Sequence, residues 1–410
     1  MEEKGYPIQN SWCRVSGVKL SKPEHLTLKP EIMTNNTPLK VLIVDDALLY
    51  RTIISETLSE LPGIEVVGTA GNGKIATYRI STLDPDLLTL DIEMPEMNGL
   101  EVLEWVRENA PEVGVIVLSS FTQEGGEMTV KALNLGAFDF IQKTDADTMA
   151  ENKKALKDAI RPMLQSYSRR KEVREILKGK AALSTTKKSK KSGFSEKPDF
   201  SGVVRRMGRL SGHKSTVIGI GISTGGPEAL SRMLPLIPGN LNVPILIVQH
   251  MPAAFTQSIA SSLNDKCTIE VRAAVDGEPL IPNTAFLAPG GKQMKVAKSA
   301  DGKTFIARVT NDQPENNCKP SADYLFRSIA NHYGNRATGV IMTGMGYDGT
   351  LGLKLMKRNG AFVIAQNEET CAVFGMPKGP IEAGIVDVIT PLDRIAEEIC
   401  RTVRSGNRVF

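Results

Sequence analysis

Short apolar segments alternate with helical patterns in two separate blocks of the chain, and this alternation constrains the fold more than any other feature. In the first block the apolar segments are residues 39–44, 64–69, 87–90, 114–118 and 138–142. In the second block they are residues 217–222, 244–248, 284–288, 339–342 and 361–365. Strands that alternate with helices form a parallel sheet with helices on both faces. The sequence therefore predicts an α/β protein with two doubly wound parallel-sheet domains.

A strongly basic segment separates the two blocks. Between Arg169 and Lys214 the chain has 15 Lys and Arg against 4 Asp and Glu, whereas the net charge of all 410 residues is only +4. Such a segment is typical of a self-repelling linker, and contact with an acidic partner or nucleic acid is the alternative. We therefore divide the chain into an irregular extension (1–38), a first domain (39–165), a basic linker (166–214) and a second domain (215–410).

The composition favours a soluble protein of the cytoplasm. Its five cysteines are scattered without CxxC spacing, which is typical of reduced thiols and argues against a disulfide framework or a zinc site. No apolar run approaches the roughly 18 residues that a membrane helix needs. No apolar segment follows the first residues, as a signal peptide would require. The linker lacks the interleaved aromatic residues on which single-stranded bases stack, so we expect no nucleic-acid partner. Because no apolar run is long enough for a membrane helix, we also expect no membrane insertion.

Three aspartates follow two strands of the first block. Asp45 and Asp46 come directly after residues 39–44, and Asp91 comes after residues 87–90. The carboxyl ends of parallel strands share one edge, so these carboxylates converge, and a hard divalent ion such as Mg²⁺ would relieve their repulsion. Ser119 and Lys143 end the next two strands, where they could hold phosphoryl oxygens. A lone aspartate after a strand is more often a helix cap, but the ordered set is hard to explain by capping alone.

A serine at the tip of the first strand of the second block has the spacing of a nucleophile elbow, Gly221-x-Ser223-x-Gly225. The same segment partly matches two phosphate-binding loop motifs, but each match fails at a residue that the motif requires. Pro227 stands where a Walker loop needs its lysine, and Thr224 stands where a dinucleotide loop needs its third glycine. A plain tight turn without chemistry remains an alternative reading at this point.

A serine nucleophile needs a base and an orienting carboxylate. Of the four histidines, only His250 directly follows an apolar strand. Asp348 follows residues 339–342 through a glycine-rich turn, although it could equally cap the helix that begins near Thr350. The order Ser223, His250, Asp348 differs from the Ser, Asp, His order of the α/β-hydrolases and so disfavours that fold.

Residues 39–165 resemble the receiver domain of bacterial two-component response regulators. The resemblance is carried by Asp45-Asp46, by Asp91-x-x-Met-Pro-x-Met-Asn-Gly99, by Ser119 and by Lys143. It implies a flavodoxin-like fold, Asp91 as phosphoacceptor, Mg²⁺ bound with the help of Asp45 and Asp46, and Ser119 as the switch hydroxyl. The family usually has proline after its lysine, whereas Thr144 follows Lys143 here, so the local backbone could differ.

Residues 215–395 resemble the catalytic domain of the chemotaxis protein-glutamate methylesterases, the CheB family. The carrying motifs are Gly-Ile-Ser223-Thr-Gly-Gly-Pro227, Val-Gln-His250-Met-Pro252, Ala288-Pro-Gly-Gly291, Lys319-Pro-Ser-Ala-Asp323-x-Leu-Phe326, Thr343-Gly-Met-Gly-x-Asp-Gly349 and Phe374-Gly-Met-Pro377. One departure is Gln293-Met294, where the family commonly has His-Met. It puts in doubt any contact from that position and leaves the proposed triad untouched.

The second resemblance implies a Rossmann-like three-layer fold and a Ser-His-Asp hydrolase that needs no cofactor at the esterase site. Its substrates would be glutamyl methyl esters of methyl-accepting chemoreceptors, with deamidation of glutamines in some members. Oxyanion donors are expected from the backbone of Thr224, Gly225 and Gly226 and from Met345. A chemotaxis histidine kinase would be the phosphodonor, the chain would be a monomer, and the unphosphorylated receiver would cover the esterase cleft.

Two other classes of function compete with this reading. A DNA-binding response regulator requires a basic output module such as a helix-turn-helix, whereas the second block shows strand–helix alternation. A dinucleotide-dependent enzyme requires the third glycine that Thr224 replaces.

Overall fold

The computed structural model describes residues 37–120, 122–143, 148–184, 205–206 and 213–404. The contacts divide the chain into residues 1–37 and residues 38–410. The expected extension, Thr144 and most of the second half of the basic linker lie outside the described residues. In the part of the chain that is described, no helix combines the length and the apolar character that a membrane crossing requires.

A five-stranded parallel sheet forms the first domain, with strand order β2-β1-β3-β4-β5, which is the flavodoxin-like order. Its strands are β1 (Leu39–Val44), β2 (Ile64–Ala70), β3 (Leu87–Asp91), β4 (Gly114–Ser119) and β5 (Asp139–Gln142). Its helices are α1 (Leu48–Ser59), α2 (Gly73–Leu83), α3 (Gly99–Asn109), α4 (Gln123–Asn134) and α5 (Met149–Ser184). Every residue of β3 is buried, as a central strand with helices on both faces requires.

The second domain is built on an eight-stranded sheet with order β6-β15-β14-β13-β7-β8-β10-β9. Seven of these strands are parallel: β7 (Val217–Ile222), β8 (Ile245–Gln249), β9 (Glu270–Ala273), β10 (Thr284–Leu287), β13 (Ala337–Ile341), β14 (Phe362–Gln366) and β15 (Val388–Thr390). The edge strand β6 (Arg205–Arg206) is antiparallel to β15. The two domains confirm the predicted pair of doubly wound parallel sheets.

Helices cover both faces of this second sheet and complete a three-layer arrangement. One core contains side chains of α6 (Gly226–Met233), α7 (Ala253–Asn264) and α11 (Leu392–Arg404), and the core on the opposite face contains those of α8 (Ala322–Tyr333) and α9 (Thr350–Arg358). The short helix α10 (Lys378–Glu382) precedes β15.

Two glycines in β7 allow α8 to lie directly on the strand. A Cβ on Gly219 would lie 2.6 Å from Ile329 Cδ1, and a Cβ on Gly221 would lie 2.9 Å from Ala322 Cβ. Both distances are shorter than carbon–carbon contacts allow. These glycines therefore serve helix packing, which accounts for a glycine pattern that partly resembles a dinucleotide loop.

Five strands were not expected from the sequence, among them the two-residue β6 in the predicted linker. β9 and β15 have only four and three residues, and β11 (Gln293–Lys298) pairs with β12 (Phe305–Thr310) as an antiparallel hairpin outside the main sheet. A search for helices between strands misses a hairpin, because its strands are joined directly.

Candidate active site

Three adjacent central strands bring the predicted esterase residues to one edge of the sheet. Strand β7 lies between β13 and β8, and Ile222 at the end of β7 pairs with Gln249 at the end of β8. Ser223 and His250 therefore directly follow the last residues of two neighbouring strands. The His250 N–H donates to Ile222 O at 3.1 Å. Asp348 follows β13 on the other side. The carboxyl ends of parallel strands are where ligands bind in folds of this kind.

The backbone of Ser223 is fixed from three directions. Its N–H donates to Thr343 O at 2.9 Å, and its carbonyl accepts from Gly226 N at 2.7 Å and from Gln249 Nε2 at 3.0 Å. Gly225 has a φ of 72°, a left-handed conformation that glycine adopts without steric cost, and α6 begins at the next residue. This is the sharp strand-to-helix turn that the spacing around the serine predicted.

His250, which is partly exposed, and the buried Asp348 form a charge-assisted pair. His250 Nε2 donates to Asp348 Oδ2 at 2.8 Å, and the Asp348 residue is only 2% exposed. Burial disfavours the charged form of both groups, but their mutual hydrogen bond holds the pKa of His250 above its usual value and that of Asp348 below its usual value. Because Nε2 is used by the carboxylate, proton transfer would have to use Nδ1, whose hydrogen-bond partner in the described structure is Cys318 Sγ.

Asp348 also caps a helix, although not the one expected from the sequence. Its carboxylate accepts from Ala322 N at 2.6 Å and from Asp323 N at 3.1 Å, both at the start of α8. Ser321 Oγ and Asn316 Nδ2 donate to it at 2.8 and 3.0 Å. The residue before α9, Gly349, makes no side-chain cap. The helix N-terminus thus stabilises the negative charge that orients His250.

A cysteine that the sequence did not single out lies beside the histidine. Cys318 Sγ is 3.8 Å from His250 Nδ1, and both residues are partly exposed. Gln293, the departure from the family pattern, is buried and braces this region: its Nε2 donates to Cys318 O at 3.3 Å, and its Oε1 accepts from Ser321 N at 2.9 Å. Since 68 residues separate the cysteine from the histidine in the chain, no local spacing could reveal the contact.

Three of the expected oxyanion residues, Thr224, Gly225 and Gly226, directly follow Ser223 in the turn, and two of their N–H groups already have partners. The Gly226 N–H is used inside the turn, as described above, and the Gly225 N–H donates to Asp139 Oδ2 of the first domain at 3.1 Å. Thr224 lies partly exposed in the same turn, and Met345, in the loop after β13, is 44% exposed.

The carboxylates of the first domain converge as predicted from their positions at strand ends. Asp45, Asp46 and Asp91 each offer an oxygen, and these oxygens lie within 4.8 Å of one another. Lys143 Nζ forms ion pairs with Asp91 Oδ2 at 2.6 Å and with Asp45 Oδ2 at 2.8 Å. Burial raises the pKa of Asp91 to about 6, with Lys143 opposing the shift. Three clustered carboxylates, one of them exposed, are a donor set that fits Mg²⁺.

Ser119 ends β4, the strand beside the one that ends at Asp91, and its hydroxyl bonds to α4. Its hydroxyl donates to Gly125 O at 3.2 Å and accepts from Thr129 Oγ1 at 2.6 Å. Gly125 and Thr129 belong to α4, and all three residues are buried. A change in the position of the Ser119 hydroxyl would therefore break or alter its hydrogen bonds to α4.

The face of the first domain formed by α4, β5 and α5 packs against the second domain near Ser223. The Phe140 ring lies 4.4 Å from the Phe255 ring of α7, measured between centroids. Asn134 at the end of α4 donates through Nδ2 to Ser262 Oγ at 3.1 Å and accepts from Lys266 Nζ at 2.5 Å. On α5, Ser166 donates to Ala372 O, and Arg169 pairs with Glu368 at 3.2 Å.

Two family models match the chain in the regions that the resemblance covers. The model described as CheB methylesterase matches residues 218–399, and that described as response regulator receiver domain matches residues 41–152. The protein-glutamate methylesterase/protein-glutamine glutaminase of Desulfotalea psychrophila is 50% identical over 367 residues, which cover 89% of this chain and 99% of that protein. The protein of the same name from Halalkalibacterium halodurans is 40% identical over 363 residues, 88% of this chain and 98% of that protein.

Solved structures match each domain separately. The crystal structure of the Thermotoga maritima CheB methylesterase catalytic domain is 38% identical, with a TM-score of 0.44, and the match covers 46% of this chain and 98% of that one. The response regulator domain of Thermotoga maritima CheB is 37% identical, with a TM-score of 0.29, and covers 31% and 97%. The sequence relationships confirm both resemblances. The chain belongs to the CheB methylesterase family and carries a response regulator receiver domain ahead of its methylesterase domain.

Proposed function

We propose that this protein hydrolyses glutamyl methyl esters of chemoreceptors by a Ser-His-Asp mechanism and that phosphorylation of its receiver domain regulates the reaction. The observation that carries the proposal is the His250–Asp348 pair at the end of the strand beside Ser223. A serine next to a histidine that is itself oriented by a carboxylate is the arrangement that generates a serine nucleophile.

In the proposed acylation step, His250 Nδ1 takes the proton of Ser223 Oγ as the oxygen attacks the ester carbonyl carbon. The tetrahedral intermediate collapses, and the methoxy group leaves as methanol with the proton from Nδ1. Water then attacks the acyl-enzyme with Nδ1 again as the base, which releases the glutamate and restores Ser223. Asp348 keeps the ring oriented and stabilises the imidazolium. With a glutamine substrate the same steps would release ammonia, and the names of the relatives support this second activity.

The proposed inhibition by the receiver acts on the oxyanion side of the site. Asp139 Oδ2 occupies the Gly225 N–H, one of the donors expected to stabilise the tetrahedral oxyanion. An acidic oxygen placed against that N–H competes with the oxyanion for it. The packing of α4 and Phe140 against α7 holds Asp139 in place. The unphosphorylated receiver is thus proposed to block the catalytic turn itself as well as access to it.

In the proposed activation, the Asp91 carboxylate attacks the phosphorus of a phosphohistidine in a chemotaxis kinase, and the kinase imidazole leaves. Asp45, Asp46 and Asp91 would hold Mg²⁺, which supplies charge neutralisation for this transfer. In the unphosphorylated structure the Ser119 hydroxyl bonds to Gly125 and Thr129 on α4. The new phosphoryl oxygens on Asp91 would compete with these two residues for that hydroxyl. Rearrangement of α4 weakens its packing on α7 and so favours the open form.

Methanol release from methylated receptor membranes tests the function and its regulation together. A small phosphodonor with Mg²⁺ is expected to raise the initial rate by roughly 5–150-fold, the range of typical allosteric couplings. The Asp91→Asn variant should show the unstimulated rate with and without the donor, because its amide cannot form an acyl phosphate. Equal stimulation of Asp91→Asn would contradict regulation through this residue, and the absence of methanol release by either protein would contradict the function.

The closed arrangement is expected to weaken as the pH rises. Burial raises the pKa of Asp139 to about 7, with the Phe140 and Gly225 N–H groups opposing the shift and Glu228 adding to it. In water the pKa of an aspartate is about 4, so the closed form binds the proton more tightly and loses stability between about pH 4 and pH 7. The basal esterase rate of the unphosphorylated protein should therefore rise with pH across this window. The rise should be larger than the one that deprotonation of His250 alone produces.

Asp139→Asn removes this titration and keeps an acceptor for Gly225. The ratio of wild-type to Asp139→Asn basal rates is expected to rise about three-fold or more between pH 5 and pH 8, since the contribution of His250 cancels in the ratio. A ratio independent of pH would show that Asp139 does not control the closed form.

A further inference from the structure

His250 and Cys318 form a pair with the chemistry of a transition-metal site. We propose that His250 Nδ1 and Cys318 Sγ bind a thiophilic divalent ion such as Zn²⁺, and that this ion blocks the esterase site reversibly. An imidazole nitrogen and a thiolate are the ligands that zinc prefers. Hydrolysis as proposed above needs no metal at this position, so an ion here is an inhibitor and not a participant.

The distance between the two ligand atoms suits a single tetrahedral ion. Zinc–nitrogen bonds of about 2.0–2.1 Å and a zinc–sulfur bond of about 2.3 Å, at a tetrahedral angle, place nitrogen and sulfur about 3.6 Å apart. The observed separation of Nδ1 and Sγ is 3.8 Å. An ion can therefore be bound with a displacement of a few tenths of an ångström.

Asp348 is better placed to orient the histidine than to bind the metal directly. Its two oxygens already accept five hydrogen bonds, one of them from His250 Nε2. A metal-binding histidine commonly donates its second ring N–H to a carboxylate, which fixes the ring and raises its basicity. The same hydrogen bond that prepares His250 as a base thus prepares Nδ1 as a metal ligand. The remaining coordination positions would be filled by water.

The turn that carries Cys318 is held independently of any ion. Glu315 and Cys318 exchange backbone hydrogen bonds of 3.1 and 2.8 Å around Asn316 and Asn317, which have φ values of 53° and 59°. This is the left-handed pair of a tight hairpin turn, a conformation that asparagine tolerates well. Gln293 secures the cysteine carbonyl from the other side. The thiol is therefore presented to His250 by a preformed backbone, which lowers the ordering cost of binding.

Occupation of the pair would stop catalysis for a simple chemical reason. The lone pair of Nδ1 that takes the proton of Ser223 would be committed to the metal. This consequence rests on the proposed triad, whereas the binding itself does not. Binding and inhibition are therefore measured separately.

Binding is tested on the full-length protein with Co²⁺ as a spectroscopic substitute for zinc. We expect a near-ultraviolet thiolate-to-cobalt charge-transfer band that saturates at one ion per chain and disappears when Zn²⁺ is added. The carboxylate cluster of the receiver has only oxygen ligands and cannot produce this band. Cys318→Ser and His250→Ala should each abolish it. Cys267→Ser is the matched control, because it removes another half-buried thiol, one that packs against the core beside α7, and it should keep the band.

Inhibition is then tested with Zn²⁺ and methylated receptor, each protein being compared with its own metal-free rate. The zinc concentration for half inhibition should rise by about ten-fold or more in Cys318→Ser and stay unchanged in Cys267→Ser. Chelation of the zinc should restore the wild-type rate. A missing charge-transfer band in the wild type, or equal zinc sensitivity of Cys318→Ser and wild type, would overturn the proposal even if hydrolysis and its regulation behave as proposed.

Discussion

Ser223→Ala is expected to lower kcat for methyl-ester hydrolysis by about 10⁴-fold or more, because the substitution removes the nucleophile and leaves only binding and oxyanion stabilisation. The fold should survive. The hydrogen bonds that hold this residue use its backbone N–H and carbonyl, with Thr343, Gly226 and Gln249 as partners, and alanine keeps all of them. Methanol release measures the loss, and the thermal unfolding midpoint should match that of the wild type.

Ser231→Ala is the matched control for this experiment. Ser231 lies on α6, eight residues further along, and the hydrogen bond that its hydroxyl makes among the described residues is to Glu228 O of the same helix, at 3.0 Å. Its removal should leave hydrolysis unchanged. A fluorophosphonate should label Ser223 in the wild type and not in His250→Ala, because an unactivated serine reacts slowly. Hydrolysis retained by a folded Ser223→Ala protein would contradict the serine mechanism.

Asp348→Asn is expected to lower kcat by about 10⁴-fold, since an amide neither orients the histidine in the same tautomer nor stabilises its positive charge. It should also destabilise the protein. The carboxylate accepts hydrogen bonds from five donors, and an asparagine amide turns its own N–H groups towards some of them. Each buried donor left without a partner costs about 1–3 kcal/mol in the free energy of unfolding. Calorimetry and methanol release measure the two effects on the same protein.

Asp323→Asn separates the catalytic effect from the structural one. Asp323 is also fully buried, accepts from Gly352 N at 2.6 Å and from Asn316 Nδ2 at 2.8 Å, and has no hydrogen bond to His250 among the described residues. We expect a comparable loss of stability with kcat within a few-fold of the wild type. If both variants lost activity in proportion to stability, Asp348 would act only through the fold.

The catalytic edge could be predicted from the sequence because parallel strands place their carboxyl ends together. Ser223 and His250 each follow an apolar strand directly, so strand order alone decides whether they meet, and β7 does pair with β8. Asp348 was less well defined, because an aspartate before a helix is usually a cap of that helix. The structure shows that it caps α8 instead, and sequence patterns do not record which distant helix an aspartate reaches.

Contacts between residues that are far apart in the chain could not be predicted from the sequence. Asp139 looks like an ordinary residue at the start of an apolar strand, and its bond to Gly225 joins positions 86 residues apart. The lack of CxxC spacing concerns only cysteines that lie close together in the chain, so it could not reveal that Cys318 lies beside His250. Both residues depend on tertiary packing, which no local periodicity encodes.

Most of the hydrophobic core of each sheet is its own, and this has a consequence for heat and denaturant. Two clusters enclose the five-stranded sheet, and a different pair encloses the central strands that end at Ser223 and His250; Val130 of α4 and Phe140 of β5 are receiver residues that pack against this second pair. Heat or denaturant can therefore melt the first sheet while the second survives, since cooperative units in one chain need not share a melting point. Under the proposed inhibition, a molecule whose receiver domain has unfolded would hydrolyse methyl esters without being phosphorylated. Partial unfolding and phosphorylation would then have the same effect on esterase activity.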